Sequence, residues 1–393
     1  MEVGKGGIGE IIACPVPVTI SKFFENRQTG AEKAEISFKK NGKWKTITPD
    51  KSTIANANKI VALSDAGLPV TSESARNLVQ FFADLEAHNL QKIKYETSTS
   101  KLGWITEKGD VGFMPYDSDM ATFDGEERFK NTYAAIRKHG DADKWMSLAK
   151  EIRASGRKEP RIMLAASFAS VLVGPLNLLP FVTHLYGQTE GGKTVCAMLA
   201  ASVWANPDRG SAYFADFMTT QVALEARADL LNDLPMIIDD TAKVSKRFSG
   251  DFSELIYILC SGTGKDRSNR EIGLRRVNSW SNCILTTGEH PIIDVTAQGG
   301  AINRVISVEA GASRIFADGH GVAETLKENY GFAGERFVEF LKIKGFGWAK
   351  KRYNEIFAAL KDGKMEKQAM AASAILLADE IATGCIFADG KQL

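Results

Sequence analysis

The residues with the clearest chemical pattern are Gly187 to Thr194, which read Gly-Gln-Thr-Glu-Gly-Gly-Lys-Thr. A glycine separated by four residues from Gly-Lys-Thr is the spacing of a phosphate-binding loop. The backbone N–H groups of such a loop surround phosphate oxygens at a helix N-terminus, where the helix dipole favours anions. Lys193 is predicted to reach the β- and γ-phosphates, and the Thr194 hydroxyl to bind Mg²⁺. We therefore predict that ATP and Mg²⁺ bind here.

The segments on either side of this loop are those that it requires. Residues 179–186 are apolar, β-branched and aromatic, which predicts a buried strand, and residues 195–205 predict a helix packed on a sheet. The order strand, glycine loop, helix distinguishes a phosphate-binding loop from a chance match in a surface loop. The predicted nucleotide-binding residues are Gly187, Gln188, Thr189, Glu190, Gly191, Gly192, Lys193 and Thr194.

Two carboxylates are predicted to complete the site. An apolar run that begins at Leu234 ends in Asp239 and Asp240, which predicts a second buried strand with both acids at its end. Asp239 is predicted to support Mg²⁺, and Asp240 to orient or deprotonate the attacking water. Aspartate is one methylene shorter than the glutamate usual at the second position, so either the water sits closer or hydrolysis is slow. The alternative is that the two acids cap the next helix.

Two further strands are predicted to bring polar side chains towards the γ-phosphate. Residues 281–289 form an apolar run that contains adjacent threonines near its end. In an ATPase core with an additional strand, the polar residue here senses the γ-phosphate, and we assign this role to Thr287, with Thr286 as the alternative. Arg304 immediately precedes the strand-like residues 305–309. It either reaches the γ-phosphate of a neighbouring subunit or, as the residues alone favour, forms a local salt bridge.

Residues 262–276 form a positively charged segment, with five basic residues and two acidic ones. Lys265, Arg267 and Arg270 are predicted to hold the phosphates of single-stranded DNA, because such electrostatic contacts do not depend on base sequence. From charge alone, a solvated loop or a set of ion pairs between subunits is an equally good interpretation.

The composition excludes few classes of protein. The 393 residues are 44% hydrophobic and 25% charged, with a formal net charge of +1, as in ordinary globular proteins. The best apolar run, residues 162–173, is shorter than the roughly 20 residues of a membrane span, so we predict a buried helix and no membrane partner. Five widely separated cysteines without a Cys-x-x-Cys pair predict free thiols in a reducing cytoplasm.

Four segments are predicted along the chain. Residues 1–115 alternate short β-like runs with polar turns and form an N-terminal α+β domain, and residues 116–160 form a helical linker. Residues 161–312 alternate strand-like and helix-like segments, as a parallel sheet flanked by helices requires. Residues 313–393 form a C-terminal helical region, with an amphipathic stretch at 366–382.

The order of these motifs resembles the domain-of-unknown-function 927 family, found in replicative primase–helicases of phages, plasmids and chromosomal cassettes. The motifs that carry the resemblance are Tyr186–Thr194, Asn232–Asp240, Ser261–Arg270, Trp280–Glu289 and Arg304–Ile306. The chain differs from the family pattern in Glu190-Gly191, which replaces small serines, in Asp240, and in Gly288, which stands where many relatives have Asn.

The resemblance implies an α/β fold with a AAA+ P-loop ATPase core related to minichromosome-maintenance and superfamily 3 helicases. These helicases act as hexameric rings on single-stranded DNA. Lys193, Thr194, Asp239 and Asp240 then serve the ATP site in cis, and Arg304 is supplied in trans. The implied partners are single-stranded DNA, further copies of this chain, and a separate primase or initiator protein.

We therefore predict an ATP-dependent, ring-forming DNA helicase or translocase of a mobile genetic element that acts in DNA replication. The alternative is a non-motor ATP switch that assembles on DNA or recruits partners. A small-molecule kinase is a weaker interpretation, because the sequence contains no visible lid or acceptor-site motif.

Overall fold

The computed structural model describes residues 2–4, 7–9, 11–217, 220–241, 252–265, 277–293, 302–361 and 365–393. The chain divides into two compact units. The first comprises residues 1–100 and 118–124, and the second residues 101–117 and 125–393.

The first unit is a mixed sheet with helices packed on one face. Its strands are β1 (Glu2–Gly4), β2 (Gly7–Gly9), β3 (Val18–Asn26), β4 (Glu32–Lys40), β5 (Lys43–Ile47), β6 (Lys94–Thr99) and β9 (Thr122–Phe123). The strand order in the main sheet is β5-β4-β3-β6-β9. The helices are α1 (Lys51–Ile54), α2 (Ala57–Ile60) and α3 (Ala75–Asn89). Alternation along β4 buries Ile36 and Phe38 completely against Leu78 and Phe82 of α3, which forms this unit's core.

A parallel sheet organises the second unit. Its strands are β10 (Phe181–Tyr186), β11 (Ala215–Asp216), β12 (Met236–Asp239), β13 (Cys283–Gly288) and β14 (Val305–Glu309), in the order β11-β12-β13-β10-β14. Because every pair is parallel, the carboxyl ends of the strands meet at one edge. This confirms the predicted α/β class, and β14 has the predicted bounds. A separate antiparallel pair comprises β7 (Gly103–Glu107) and β8 (Asp110–Met114).

The helices of the second unit cover this sheet. They are α4 (Lys130–Ala135), α5 (Ala142–Ala154), α6 (Lys158–Val173), α7 (Lys193–Ser202), α8 (Gln221–Leu231), α9 (Ser253–Leu259), α10 (Gly319–Glu328), α11 (Ala333–Lys344), α12 (Phe346–Leu360) and α13 (Glu366–Ala382). The predicted apolar helix is α6, and it packs against α7 and α13. It is buried along Met163–Val173, as expected for a helix that is apolar all round.

Within the described part of the chain, one helix has the length and apolar character of a membrane span. It runs from Glu366 to Phe387, and 67% of its apolar window is buried inside the protein, as in the core helix of a globular unit. The buried Arg153 of α5 donates from its guanidinium to Asp379 of this helix at 2.7 Å and to Asp389, two residues after the helix, at 2.8 Å.

The division into units differs from the predicted boundaries at two places. Residues 101–117 belong to the second unit, where Trp104 donates its indole N–H to the Val171 carbonyl at 2.7 Å. The stretch predicted as a linker contains α5, whose Trp145 is fully buried and donates to the Ser202 hydroxyl.

Candidate nucleotide site

The predicted phosphate loop lies between β10 and α7, at the carboxyl edge of the parallel sheet. Its backbone is left-handed or strained at three points, with φ of +148° at Gly187, +60° at Glu190 and +98° at Gly192. A Cβ at Gly192 would also lie 3.1 Å from the Phe316 ring, so both conformation and space favour glycine there. The loop therefore has the close backbone curvature that phosphate binding needs.

The Lys193 ammonium is held by the loop itself. Its Nζ donates to the carbonyl oxygens of Gly187 at 2.9 Å and Gln188 at 2.6 Å. These bonds hold the ammonium group inside the curve of the loop. There the oxygens of a bound phosphate would accept hydrogen bonds from it. Beside it, the exposed Thr189 hydroxyl donates to the Glu289 carboxylate at 2.6 Å, which ties the loop to the residue after β13.

The Thr194 hydroxyl and the Asp239 carboxylate meet at the start of α7. Thr194 Oγ1 donates to Asp239 Oδ1 at 3.2 Å, and Thr287 Oγ1 donates to the same oxygen at 2.5 Å. Asp239 is buried, and its other oxygen pairs with the Arg209 guanidinium at 2.9 Å. The structure thus brings together three predicted residues from three elements, and adds Arg209, which the sequence did not indicate.

Asp240 follows β12 in a left-handed conformation, with φ of +65°. Its backbone N–H donates to the Thr287 hydroxyl at 3.1 Å, so one hydroxyl contacts both predicted acidic positions. Asp240 is partly exposed, whereas Asp239 is buried. The alternative that the two acids cap a following helix concerns residues 242–251, which lie outside the described part of the chain.

The two neighbouring threonines of β13 point to opposite faces of the sheet. Thr287 contacts Asp239, whereas Thr286 Oγ1 lies 2.7 Å from His184 Nδ1. His184 Nε2 lies 2.9 Å from the His290 carbonyl, which accepts; Nε2 is therefore assigned the proton, and Nδ1 accepts from Thr286. Burial lowers the pKa of His184 to about 4, so the ring is neutral at pH 7.

Gly288 has no room for a side chain. A Cβ there would lie 2.2 Å from Thr241 Oγ1 and 3.0 Å from His184 Cε1. The asparagine that the resemblance places here in many relatives does not fit this packing, and Thr287 is the polar side chain of this strand end that contacts Asp239.

Arg304 lies beside Tyr257 of α9. Its guanidinium carbon is 3.9 Å from the centre of the Tyr257 ring, and Nη1 donates to the Tyr257 carbonyl at 3.4 Å. Arg304 Nε is buried without a hydrogen-bond partner. Among the residues that the structure describes, Arg304 makes this cation–π contact and hydrogen bond, and not the local salt bridge that the residues alone favoured.

The predicted DNA-binding residues are described only in part. Lys265 is exposed and pairs with Glu254 of the same chain at 3.1 Å. Arg267 and Arg270 lie outside the described residues.

An open cleft of about 460 Å³ adjoins the phosphate loop. Besides Gly192, Lys193 and Thr194, its lining includes Phe316, which precedes α10, and His320, in the first turn of α10. Phosphates seated on the loop would leave the rest of a nucleotide facing these rings, which suit a flat aromatic base.

The oxygen ligands of the cluster suit a magnesium ion. A threonine hydroxyl and a carboxylate are hard oxygen ligands, and the ion would take its remaining positions from phosphates and water. Arg209 now supplies the positive charge beside the buried Asp239. The residues present therefore fit Mg²⁺ together with a nucleoside triphosphate. Among the described residues, no cluster of three or more His, Cys, Asp or Glu side chains forms a separate metal site.

Arg209 is the contact that the sequence did not reveal. It lies on the turn after α7, where Asp208 and Gly210 are fixed by local hydrogen bonds, and it reaches Asp239 only because β11 returns beside β12. No spacing rule joins positions 30 residues apart on different elements, so the sequence carried no signal for this ion pair.

Comparisons with known proteins identify relatives of this chain. The sequence profile of a family described as "Domain of unknown function (DUF927)" matches residues 2–279. A solved structure entitled "SCCmec type IV Cch - active helicase" matches with a TM-score of 0.71 and 17% identity, over 94% of this chain and 70% of that one. No curated protein matches.

Two other solved structures match with low TM-scores and carry no argument. The NrS-1 C-terminal region matches at a TM-score of 0.33 and 9% identity, over 93% of this chain and 88% of that one. A JCV helicase matches at a TM-score of 0.26 and 12% identity, over 60% of this chain and 74% of that one.

Proposed function

Because this chain belongs to the DUF927 family, we propose that it is an ATP-dependent DNA helicase or translocase with a AAA+ P-loop core. The hydrogen-bonded cluster of Thr194, Asp239 and Thr287 at the carboxyl edge of a parallel sheet carries the proposal. The strand order supports it, because β13 is an additional strand between the loop strand β10 and the acidic strand β12. The Cch structure, whose fold this chain shares, is described as an active helicase.

In this proposal the phosphate loop binds the triphosphate and Lys193 contacts its outer phosphates. Thr194 and Asp239 would hold Mg²⁺, whose positive charge offsets that of the phosphates when the ion is bound. The Arg209 guanidinium pairs with one oxygen of Asp239 and would compete with the ion for this carboxylate. A displaced Arg209 would be a further cation at the site.

Asp240 is the proposed base or water-positioning residue. Its partial exposure leaves a carboxylate able to meet water, while Thr287 fixes its backbone N–H. The Thr287 hydroxyl also contacts Asp239. A shift of β13 would therefore move both acidic residues and change the rate of hydrolysis.

Ring formation supplies the remaining parts of the proposal. Arg304 lies on the partly exposed Tyr257 ring, and we assign it to the ATP of a neighbouring copy, in a ring that is hexameric in related helicases. Single-stranded DNA would pass beside Lys265, Arg267 and Arg270. We further propose that the protein acts in the replication of a mobile element, with a separate primase or initiator protein, and in the cytoplasm. The free state of all five cysteines supports a reducing compartment.

The first experiment measures steady-state ATP hydrolysis with and without single-stranded DNA, for wild type and Lys193→Ala. DNA-stimulated hydrolysis that the substitution abolishes supports a motor, and displacement of a strand from a forked substrate identifies a helicase. ATP-dependent assembly without DNA stimulation and without strand displacement would instead establish the non-motor switch.

A mixing experiment tests the assignment of Arg304. Neither Lys193→Ala nor Arg304→Ala alone hydrolyses ATP if each removes one half of a shared site. Mixed rings then regain activity, because an intact pocket meets an intact arginine at some interfaces. Absence of recovery in mixtures that demonstrably co-assemble would place Arg304 outside the neighbouring site.

A further inference from the structure

The hairpin of β4 and β5 in the first unit presents an unusual combination of residues to solvent. Its turn is Asn41-Gly42, with φ of +50° and +77°, the left-handed pair that a tight two-residue hairpin requires. All residues from 39 to 46 are exposed. Residues 36–49 contain four lysines, at 39, 40, 43 and 45, and no acidic residue. The hairpin is therefore a positively charged edge of the sheet.

Trp44 lies in the middle of this charge. It is 60% exposed, more than any other of the six tryptophans, and Trp145, Trp204 and Trp280 are buried. The core of this unit is filled from the opposite face of the sheet, by Ile36 and Phe38 among others, so packing does not explain an indole at this position. An exposed aromatic ring surrounded by positive charges suits a ligand that has both flat rings and negative charge, because the ring stacks while the charges attract the ligand.

The register of the strands extends this surface into a strip. Trp44 is directly opposite Lys39, and two residues further along the same face Thr46 is opposite Ser37. The Ser37 hydroxyl lies 3.3 Å from Thr46 Oγ1 and 2.6 Å from Ser21 Oγ on β3. The aromatic ring, a lysine and a row of hydroxyls thus share one face across three strands.

We propose that this hairpin face binds single-stranded nucleic acid. A base stacks on Trp44, Lys39 on the same face contacts a flanking phosphate, and the hydroxyl row accepts or donates hydrogen bonds along the strand. Lys43 lies on the opposite face, next to the turn of the edge strand β5, and adds positive charge at this edge. Lys45 contributes less, because its Nζ donates to the Ala66 carbonyl at 2.5 Å. Duplex DNA fits poorly, since its bases are stacked on one another and unavailable to an exposed indole. This site lies within the first unit and does not depend on the nucleotide site.

The test uses the full chain without nucleotide and measures binding of oligothymidylate by anisotropy and by quenching of tryptophan fluorescence. Base–aromatic stacking of about 1–3 kcal/mol corresponds to a loss of roughly 5- to 150-fold in affinity for Trp44→Ala, with partial recovery in Trp44→Phe. Trp44→Phe also abolishes the quenching, because the other five tryptophans belong to the second unit and lie outside this hairpin. Lys39→Ala lowers the magnitude of the salt slope by about 0.7, the value of one phosphate contact, and adding Lys43→Ala lowers it further, towards about 1.4.

Matched controls separate this surface from general charge and from the loop after α9. Lys59→Ala with Lys92→Ala removes the same charge from exposed positions of this unit outside β4 and β5, and Trp348→Ala removes another partly exposed indole. Both controls bind as wild type does. If Trp44→Ala and the Lys39/Lys43 pair also bind within twofold of wild type, the proposal is overturned.

Lys265→Ala with Arg267→Ala reports on the other proposed DNA contact, so a failure of the hairpin proposal can be distinguished from a failure of the loop assignment. Oligouridylate and duplex arms show whether the face prefers DNA, RNA or an already stacked helix; equal affinity for duplex also overturns it.

Discussion

Replacing Thr287 by valine should damage the nucleotide site in a way that the same change at Thr286 does not. Both side chains are 2% exposed, and valine preserves the shape of threonine while it replaces the hydroxyl by a methyl group. At Thr287 the change removes a 2.5 Å bond to the Asp239 carboxylate and leaves the Asp240 N–H without its acceptor. At Thr286 it removes the donor to His184 Nδ1.

The free energies of unfolding are expected to fall in both variants. A hydrogen bond to a charged group contributes about 1.5–3 kcal/mol, and a buried group left without a partner costs about 1–3 kcal/mol. These effects overlap, so we expect a loss of about 2–4 kcal/mol for Thr287→Val and about 1–3 kcal/mol for Thr286→Val. Urea unfolding monitored by circular dichroism measures both.

Nucleotide binding should separate the two variants. Thr287 orients a predicted metal ligand, and loss of such a supporting contact typically costs 10- to 100-fold in metal affinity or activity. We expect this loss in Mg²⁺-dependent binding of a fluorescent ATP analogue and in hydrolysis for Thr287→Val, but not for Thr286→Val. Thr287→Ser keeps the hydroxyl and should retain most of both. Equal losses in the two valine variants, or none in either, would refute the role of Thr287.

Three further predictions concern charged and titratable groups. Arg209→Ala should lower the Mg²⁺ concentration needed for half-maximal nucleotide binding by about fivefold, because a half-exposed guanidinium competes for Asp239 with about 1 kcal/mol; a titration of Mg²⁺ at fixed nucleotide measures this. His184 has a pKa lowered to about 4 and Asp233 a pKa raised to about 7, both mainly by burial, so their effects on stability between pH 7.5 and 5 oppose each other. As the pH falls to 5, His184 lowers the free energy of unfolding by about 2 kcal/mol, and Asp233 raises it by a similar amount. In His184→Asn only the effect of Asp233 remains, so the free energy of unfolding should rise towards pH 5. In Asp233→Asn only the effect of His184 remains, so it should fall. Arg153→Met should destabilise the protein by about 3–5 kcal/mol, because it leaves the buried Asp379 without its cation.

Each of these predictions has an outcome that contradicts it. A higher Mg²⁺ requirement in Arg209→Ala than in wild type would mean that the arginine assists phosphate binding more than it competes with the metal for Asp239. Parallel pH profiles of wild type, His184→Asn and Asp233→Asn would show that neither group titrates with the stated shift. Lys342→Met removes a partly exposed cation beside Asp117 and serves as the control for Arg153→Met, with an expected loss of about 0–1 kcal/mol. Equal losses would show that burial of the ion pair is unimportant.

The sequence predicts what depends on local pattern. The bounds of β14 and α13 coincide with the predicted segments, since a short β-branched run and a long apolar periodicity each determine one element. Thr194 and Asp239 were assigned to the same Mg²⁺ ion from the two motifs, and they are in contact because the parallel strands end at one edge of the sheet. The sequence did not predict the Arg209 contact or the packing of Trp104 into the second unit, because both depend on how elements distant in sequence fold back on one another.

The crowded position of Gly288 constrains the order in which substitutions can accumulate. A side chain there meets Thr241 and His184 before it reaches solvent, so Gly288→Asn in this background should be poorly tolerated. A smaller residue at 241 removes the nearest obstacle and would have to come first. Sequences along an evolutionary path between this chain and relatives with asparagine at the end of this strand should therefore show a change at 241 before the change at 288, and a double variant should be fitter than the Gly288→Asn single variant.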